Sequence, residues 1–175
     1  MAKILAFAGS NSCTSINHKL VAYTSSLLEN HQVELLDMSK ISFPMYSEDL
    51  EKSDGYSAEL KTLMQKIENA DALVISVNEH NSSVSAFFKN IIDWLSRMER
   101  KFLLDKKVLL MATSPGGRGG IGALETTESV LPRFGAEIIA TFSLPSFHNN
   151  FDAEITDLEL KTAHKEIVHK FLAKI

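Results

Sequence analysis

The chain has 175 residues, 45% of them hydrophobic, and a formal charge of -4 at neutral pH. That is enough apolar material for one domain with a full core, and no Pro/Gly/Ser-rich tract divides it, so residues 1–175 are read as a single domain. Scattered Lys and Arg form no stripe for nucleic acid, no run of about 18 apolar residues offers a membrane span, and the single cysteine, Cys13, has no partner for a disulfide or a zinc site; a cytoplasmic protein acting on small ligands is expected.

The first strand is the apolar run Ile4-Leu5-Ala6-Phe7-Ala8. The loop Gly9-Ser10-Asn11-Ser12-Cys13-Thr14-Ser15-Ile16-Asn17 follows, and Ile16, Leu20, Tyr23, Leu27 and Leu28 then repeat at helical spacing up to about Asn30. Gly9 is read as the turn off the strand. The hydroxyls of Ser10, Ser12, Thr14 and Ser15 and the amide of Asn17 lie beside the free N–H groups of a helix start, which suits a phosphate. Thr14 or Ser15 equally serves as a plain helix cap, so the loop alone leaves both readings open.

Residues 33–37 read as a second strand, and residues 43–50, with a proline and no period, as an ordered loop over the carboxyl ends of the strands. A helix is expected over 53–69 with Leu60, Leu63, Met64 and Ile67 inward, and residues 72–77 form a strand apolar on both faces. From Ser83, the positions Val84, Phe87, Phe88, Ile91, Ile92 and Leu95 fit the helical template. Trp94 and Met98 widen that stripe beyond what one sheet face covers, so a second subunit is expected against this helix. A fourth strand over 108–112, a glycine-rich loop over 114–120, a helix over 121–133 ended by Gly135, a fifth strand over 137–142 and a last helix over 156–174 complete the chain.

Five strands alternating with five helices predict an α/β fold: a three-layer α/β/α sandwich on a five-stranded parallel sheet of order 2-1-3-4-5. In that order ligands bind at the carboxyl edge between strands one and three.

The loops at that edge carry a family resemblance. Gly9-Ser10 with Ser15-x-Asn17, Glu79-His80-Asn81 followed by Lys89-Asn90-Ile91-Ile92-Asp93-Trp94, and Ser114-Pro115-Gly116-Gly117 with Gly120 together resemble the NADPH-dependent FMN reductase family of flavodoxin-like proteins, which includes quinone, azo-dye and chromate reductases. Pro44-Met45-Tyr46-Ser47-Glu48-Asp49-Leu50 is similar to the family's Pro-Leu-Tyr-Asn-x-Asp segment. The resemblance implies a bound FMN, NADPH or NADH as hydride donor, and a quinone, free flavin or other small molecule as electron acceptor. It also implies assembly as a homodimer or a dimer of dimers.

Carried over position by position, Ser10, Ser12, Ser15, Ile16 and Asn17 would hold the FMN phosphate. Asn78, Glu79, His80 and Asn81 would border the isoalloxazine ring, and Ser114, Gly116 and Gly117 would meet the far edge of the ring, where glycine permits close backbone approach. Three positions depart from the pattern: Ser12 stands where arginine is usual, Asn78 where proline is, and His80 where tyrosine is. Arg118 lies beside the last loop and could attract the phosphates of NADPH, or simply be solvated. Lys89 and Asp93, four apart on a helix, are expected to pair with each other rather than act in catalysis.

In this reading the chemistry belongs to the flavin N5 and no catalytic side chain or metal is needed. The alternative from another class is a flavodoxin-type electron carrier without NAD(P)H activity of its own. A low-molecular-weight tyrosine phosphatase would need arginine where Lys19 stands, and a response regulator would need acidic residues where Ala8, Gly9 and Ser10 stand.

Overall fold

The computed structural model describes residues 1–175. Strands Lys3–Ala8 (β1), Gln32–Leu36 (β2), Ala72–Val77 (β3), Lys107–Thr113 (β4) and Glu137–Leu144 (β5) form one parallel sheet in the order β2-β1-β3-β4-β5. Helices Ile16–Ser26 (α1), Ala58–Asn69 (α2), Ala86–Met98 (α3), Ile121–Val130 (α4) and Leu158–Leu172 (α5) cover it. The three-layer sandwich and its strand order are those expected from the sequence.

The two-residue alternation of the strands explains the layering. Leu5, Phe7, Leu73, Ile75, Val108 and Leu110 point to one face and pack with α2, α3 and α4. Ile4, Ala6, Val74, Leu109 and Met111 point to the other and pack with α1 and α5. Every residue of β3 is buried, as the central strand of a doubly covered sheet must be. No helix is long and apolar enough to cross a membrane.

Several boundaries differ from the sequence reading. The helix expected over 53–69 is α2 alone, starting at Ala58 and capped by Ser57, and a separate two-turn helix Glu48–Asp54, capped by the Ser47 side chain, takes up the end of the stretch expected as a loop over 43–50. Gly55, at φ +69°, breaks them apart. α3 starts at Ala86, where the Ser85 hydroxyl accepts from the N–H of Phe88, so Val84 is not part of the helix. It belongs to a small hairpin in which Glu79–His80 pairs antiparallel with Ser83–Val84 around Asn81 and Ser82, both at positive φ.

The excess apolar surface assigned to α3 is covered inside the chain, which corrects the argument for a second subunit there. Trp94 is 0% exposed, and its ring meets those of Tyr46 and Tyr56 edge-on at 5.1 and 6.0 Å between centroids. Met98 packs against the core. Residues 43–47 lie along α3, with the Phe43 ring 6.0 Å from that of Phe87 between centroids. The Trp94 Nε1 and Asn90 Nδ2 groups donate to the Pro44 carbonyl at 2.8 and 2.9 Å, and the Tyr46 N–H donates to Asn90 Oδ1 at 2.8 Å. The hydroxyls of Tyr56 and Tyr46 both donate to Glu51 and hold its carboxyl below the ordinary carboxylate range.

Gly9 differs in its reason. Its φ is not positive, so no unusual turn demands a glycine. A Cβ there would stand 2.7 Å from the Phe88 ring, and the Ser85 hydroxyl donates to the Gly9 carbonyl at 2.9 Å. The glycine lets the end of β1 lie flat against the first turn of α3.

Candidate functional site

A cleft of about 260 Å³ opens at the carboxyl ends of β1, β3 and β4, where the strand order reverses. Its lining is Ser10, Ser12, Thr14, Ser15, Ile16, Asn17, Asn78, Glu79, His80, Thr113, Ser114 and Pro115. Larger hollows lie elsewhere, one of about 430 Å³ at the opposite edge of the sheet around Lys3 and Lys66 and a groove of about 590 Å³ between α3 and α4. The smaller cleft is the one at the switch point, with polar groups converging on it.

The first loop is ordered by its own hydroxyls. Ser12 N–H donates to Ser10 Oγ and Thr14 N–H to Ser12 Oγ, each at 3.3 Å, while the Ser12 and Thr14 hydroxyls share a hydrogen at 3.1 Å. Ser15 caps α1, accepting from the His18 N–H at 3.2 Å. The N–H groups of Ile16 and Asn17 have no partner within the chain. They face the cleft at the positive end of the helix dipole, and Ser15 is both a cap and part of the lining.

The Asn17 side chain is turned the other way. It is buried, donates from Nδ2 to the Thr113 carbonyl at 3.1 Å, and accepts at Oδ1 from the Thr113 N–H at 3.0 Å and the Ser76 hydroxyl at 2.7 Å. One carboxamide therefore bolts the start of α1 to the ends of β3 and β4. The backbone N–H of Asn17 stays without a partner in the chain.

Glu79 also works within the fold. Its Oε2 accepts from the Ala123 N–H at 3.0 Å in the first turn of α4, and a Cβ on Gly122 would approach that oxygen to 2.7 Å. The carboxylate thus sits at a helix N-terminus. Asn78 Nδ2 lies 3.3 Å from His80 Nε2, and Asn78 Oδ1 is buried with no partner. His80 and Asn81 also line the α3–α4 groove, so the hairpin forms the ridge between groove and cleft.

The last loop is anchored from β5: the Phe147 N–H donates to the Ser114 carbonyl at 3.0 Å and the Ser146 N–H to the Gly116 carbonyl at 2.9 Å. Ser114 reaches the cleft, whereas Gly116 and Gly117 stand exposed beyond its lining, where a Cβ on Gly116 would meet only the Ser114 hydroxyl, at 3.9 Å, and one on Gly117 nothing. The glycines of this loop at positive φ are Gly119 and Gly120. Lys89 and Asp93 pair at 2.6 Å on the surface of α3. Thr14, Thr113 and Pro115 complete the lining; Thr113 was missed because the strand expected over 108–112 runs one residue further, to the switch point.

With this geometry in hand, the chain can be set against known proteins. The sequence profile of a family described as NADPH-dependent FMN reductase matches residues 2–149. The chain belongs to that family. Among curated relatives of this FMN reductase-family chain, the uncharacterized protein MG342 homolog of Mycoplasma pneumoniae is 30% identical over 156 residues, 85% of this chain and 92% of that one. The quinone reductase of Escherichia coli is 35% identical over 102 residues, 58% of this chain; the match spans about half of that enzyme's length, 54%. A solved NAD(P)H:(acceptor) oxidoreductase from Paracoccus denitrificans superposes with a TM-score of 0.76 at 24% identity, covering 99% of this chain and 98% of its own.

FMN is the family's cofactor, and the residues present fit it. Two free helix-start N–H groups and a ring of hydroxyls suit a phosphate.

Proposed function

We propose that this chain is an NAD(P)H-dependent flavin oxidoreductase of the FMN reductase and quinone reductase type, taking a quinone, a free flavin or another small acceptor. The observation that carries the reading is the cleft at the β1/β3 switch point, where unpaired N–H donors at the start of α1 and the loops after β3 and β4 converge. Bound FMN supplies the redox chemistry, accepting hydride from the nicotinamide and passing electrons on.

The chain's own residues position. The N–H groups of Ile16 and Asn17 and the hydroxyls of Ser10, Ser12, Thr14 and Ser15 bind the phosphate without any Lys or Arg in the lining. Asn78, Glu79, His80 and Asn81 on one side and Ser114, Gly116 and Gly117 on the other border the ring. Glu79 serves by holding its hairpin to α4, and Asn17 by fixing the floor.

The test is fluorescence titration of the apoprotein with FMN, then anaerobic addition of NADPH or NADH, then of a quinone. Bleaching of the flavin followed by its reoxidation is expected. A protein that binds no FMN is not described by this reading, and one whose bound flavin accepts electrons from a partner reductase but not from NAD(P)H is a flavodoxin-type carrier.

A cytoplasmic location and assembly as a homodimer or a dimer of dimers belong to the same proposal. With Trp94 covered, support for assembly moves to the α3–α4 groove, whose walls include Val84, Ala86, Ile92, Val130 and Phe134. Sedimentation as a fully active monomer at micromolar concentration would remove it.

A further inference from the structure

The two carboxylate oxygens of Glu79 have different surroundings. Oε2 accepts from the Ala123 N–H at 3.0 Å, and a Cβ on Gly122 would stand 2.7 Å from that oxygen and 3.5 Å from Cδ, so the Oε2 end is the one lodged against α4. Oε1 has no hydrogen-bond partner in the chain, yet it is not sealed in protein as Asn78 Oδ1 is. Glu79 lines the cleft and not the α3–α4 groove beyond the hairpin. The open oxygen therefore belongs to the cleft.

Glu79 is also the only Asp, Glu, Lys or Arg in the lining. The other side-chain groups there are spent or can turn. Asn17 Oδ1 already takes hydrogens from Thr113 and Ser76, and a neutral His80 ring that accepts at Nε2 from Asn78 carries its own hydrogen on Nδ1 and donates there. Hydroxyls rotate between donating and accepting. A carboxylate only accepts, and the bond to Ala123 fixes the direction of this one. It attracts a ligand edge that shows a hydrogen and repels one that shows lone pairs, which is how a site selects an orientation.

The oxidised isoalloxazine ring leaves such an acceptor one choice. Its N1, N5 and two carbonyl oxygens carry lone pairs, and its single ring hydrogen is on N3. Resting on the reading of the cleft as an FMN site, we propose that Glu79 Oε1 accepts the N3–H of the bound ring, so that one carboxylate holds the hairpin to α4 and sets the ring's orientation in its plane.

Glu79→Gln separates the two oxygens. The amide oxygen is drawn to the Ala123 N–H, and the NH2 group takes the place of Oε1, so the bond to α4 is kept while the polarity shown to the ring is reversed. The experiment titrates wild-type and Glu79→Gln apoprotein with FMN and with FMN methylated at N3, and records the N3–H resonance of bound 15N-labelled FMN; circular dichroism checks that the variant is folded. FMN is expected to bind the variant about ten- to a hundredfold more weakly, as loss of a hydrogen bond to a charged group implies. Methylation of N3 should cost wild type at least about tenfold more than it costs the variant, because the variant has no bond left to lose. The N3–H resonance should move upfield in the variant. A role in folding alone would leave both the coupling and the resonance unchanged. Methylation that costs the two proteins alike within twofold overturns the proposal and leaves Oε1 to a ribityl hydroxyl, and an unmoved N3–H resonance overturns it too. Should Glu79→Gln fail to fold, the wild-type resonance decides: a position downfield of free FMN upholds the bond, and the position of free FMN overturns it. If wild type binds no FMN, the functional reading falls and this inference with it; if wild type binds FMN without the coupling, only the inference falls.

Discussion

Lowering the pH from 7.5 to 5 should weaken the native fold through one residue far from the cleft, His164. It is 0% exposed on the inner face of α5, with its ring tilted against that of Tyr23 at 5.3 Å and edge-on to that of Phe142 at 5.1 Å between centroids. The Thr24 hydroxyl donates to the Leu20 carbonyl at 2.9 Å and therefore accepts from His164 Nε2, also at 2.9 Å. Nδ1 is left buried with no partner. Protonating it would bury a charge with nothing to pair it, and burial pushes the imidazole from 6.5 down to about 4. Above 6.5 both folded and unfolded chains are neutral at this residue, and its full contribution is present. Between 6.5 and about 4 the unfolded chain binds a proton that the folded chain refuses, so stability is lost as pH falls through that window. At about 1.4 kcal/mol per pH unit the loss reaches about 2 kcal/mol at pH 5 and about 3 kcal/mol at its end. The assay is urea unfolding followed by circular dichroism at pH 7.5 and pH 5, on wild type and on His164→Phe. The variant removes both ring nitrogens and leaves the Thr24 hydroxyl its bond to Leu20, so its pH dependence should be smaller than that of wild type by about 2 kcal/mol. Equal pH dependence in the two proteins, or a His164 resonance that titrates near 6.5 in the native state, would refute the reasoning.

Three further outcomes are expected. Ser12→Arg should tighten FMN binding by about ten- to a hundredfold, because a charged hydrogen bond of about 1.5–3 kcal/mol enters a lining that has no Lys or Arg; unchanged affinity in a fluorescence titration would show that the neutral donors already saturate the phosphate. Asn17→Asp should destabilise the apoprotein by about 3 kcal/mol or more, since it removes the donor to the Thr113 carbonyl and places a buried charge there; a melting temperature equal to wild type would contradict the bolt drawn for this residue. Gly9→Ala should cost about 1–3 kcal/mol through the 2.7 Å approach to the Phe88 ring, and Phe88→Leu added to it should be less than additive in thermal unfolding.

The layers and the strand order were legible because they rest on short-range signals: apolar runs of strand length, helical spacing and the need for crossovers between parallel strands. What escaped depends on contacts between distant positions. The apolar arc of α3 could be counted from sequence, but what covers Trp94 is an irregular segment, with Pro44 lying 50 positions away. Gly9 looked like a turn glycine because it follows a strand, whereas its missing side chain answers Phe88 on another element. Val84 matched the helical template by spacing alone, and the Ser85 cap, one residue later, decides against it. In the cleft, the loops were legible as loops; which atoms of each residue face inward was not.

That last distinction bears on how the motif residues work. Asn17 and Glu79 are polar residues in ligand-facing loops, and polarity in such places suggests contact with the ligand. Yet the Asn17 carboxamide spends its hydrogen bonds on β3 and β4, and the Glu79 carboxylate closes the N-terminus of α4. Their loops are thereby held against rigid elements, and the groups left free are main-chain N–H donors, hydroxyls and the second Glu79 oxygen. Backbone donors are not removed by changing one side chain for another, proline excepted, but their aim can be spoiled by loosening the residue that fixes them. Substitutions at Asn17 and Glu79 should therefore lower flavin affinity together with thermal stability of the apoprotein. Substitutions at Ser12 should change affinity while leaving apoprotein stability nearly as it is. Measuring both quantities for each variant separates the frame of the site from its contact surface, and loss of affinity at Asn17 with the melting temperature unmoved would place its side chain on the ligand after all.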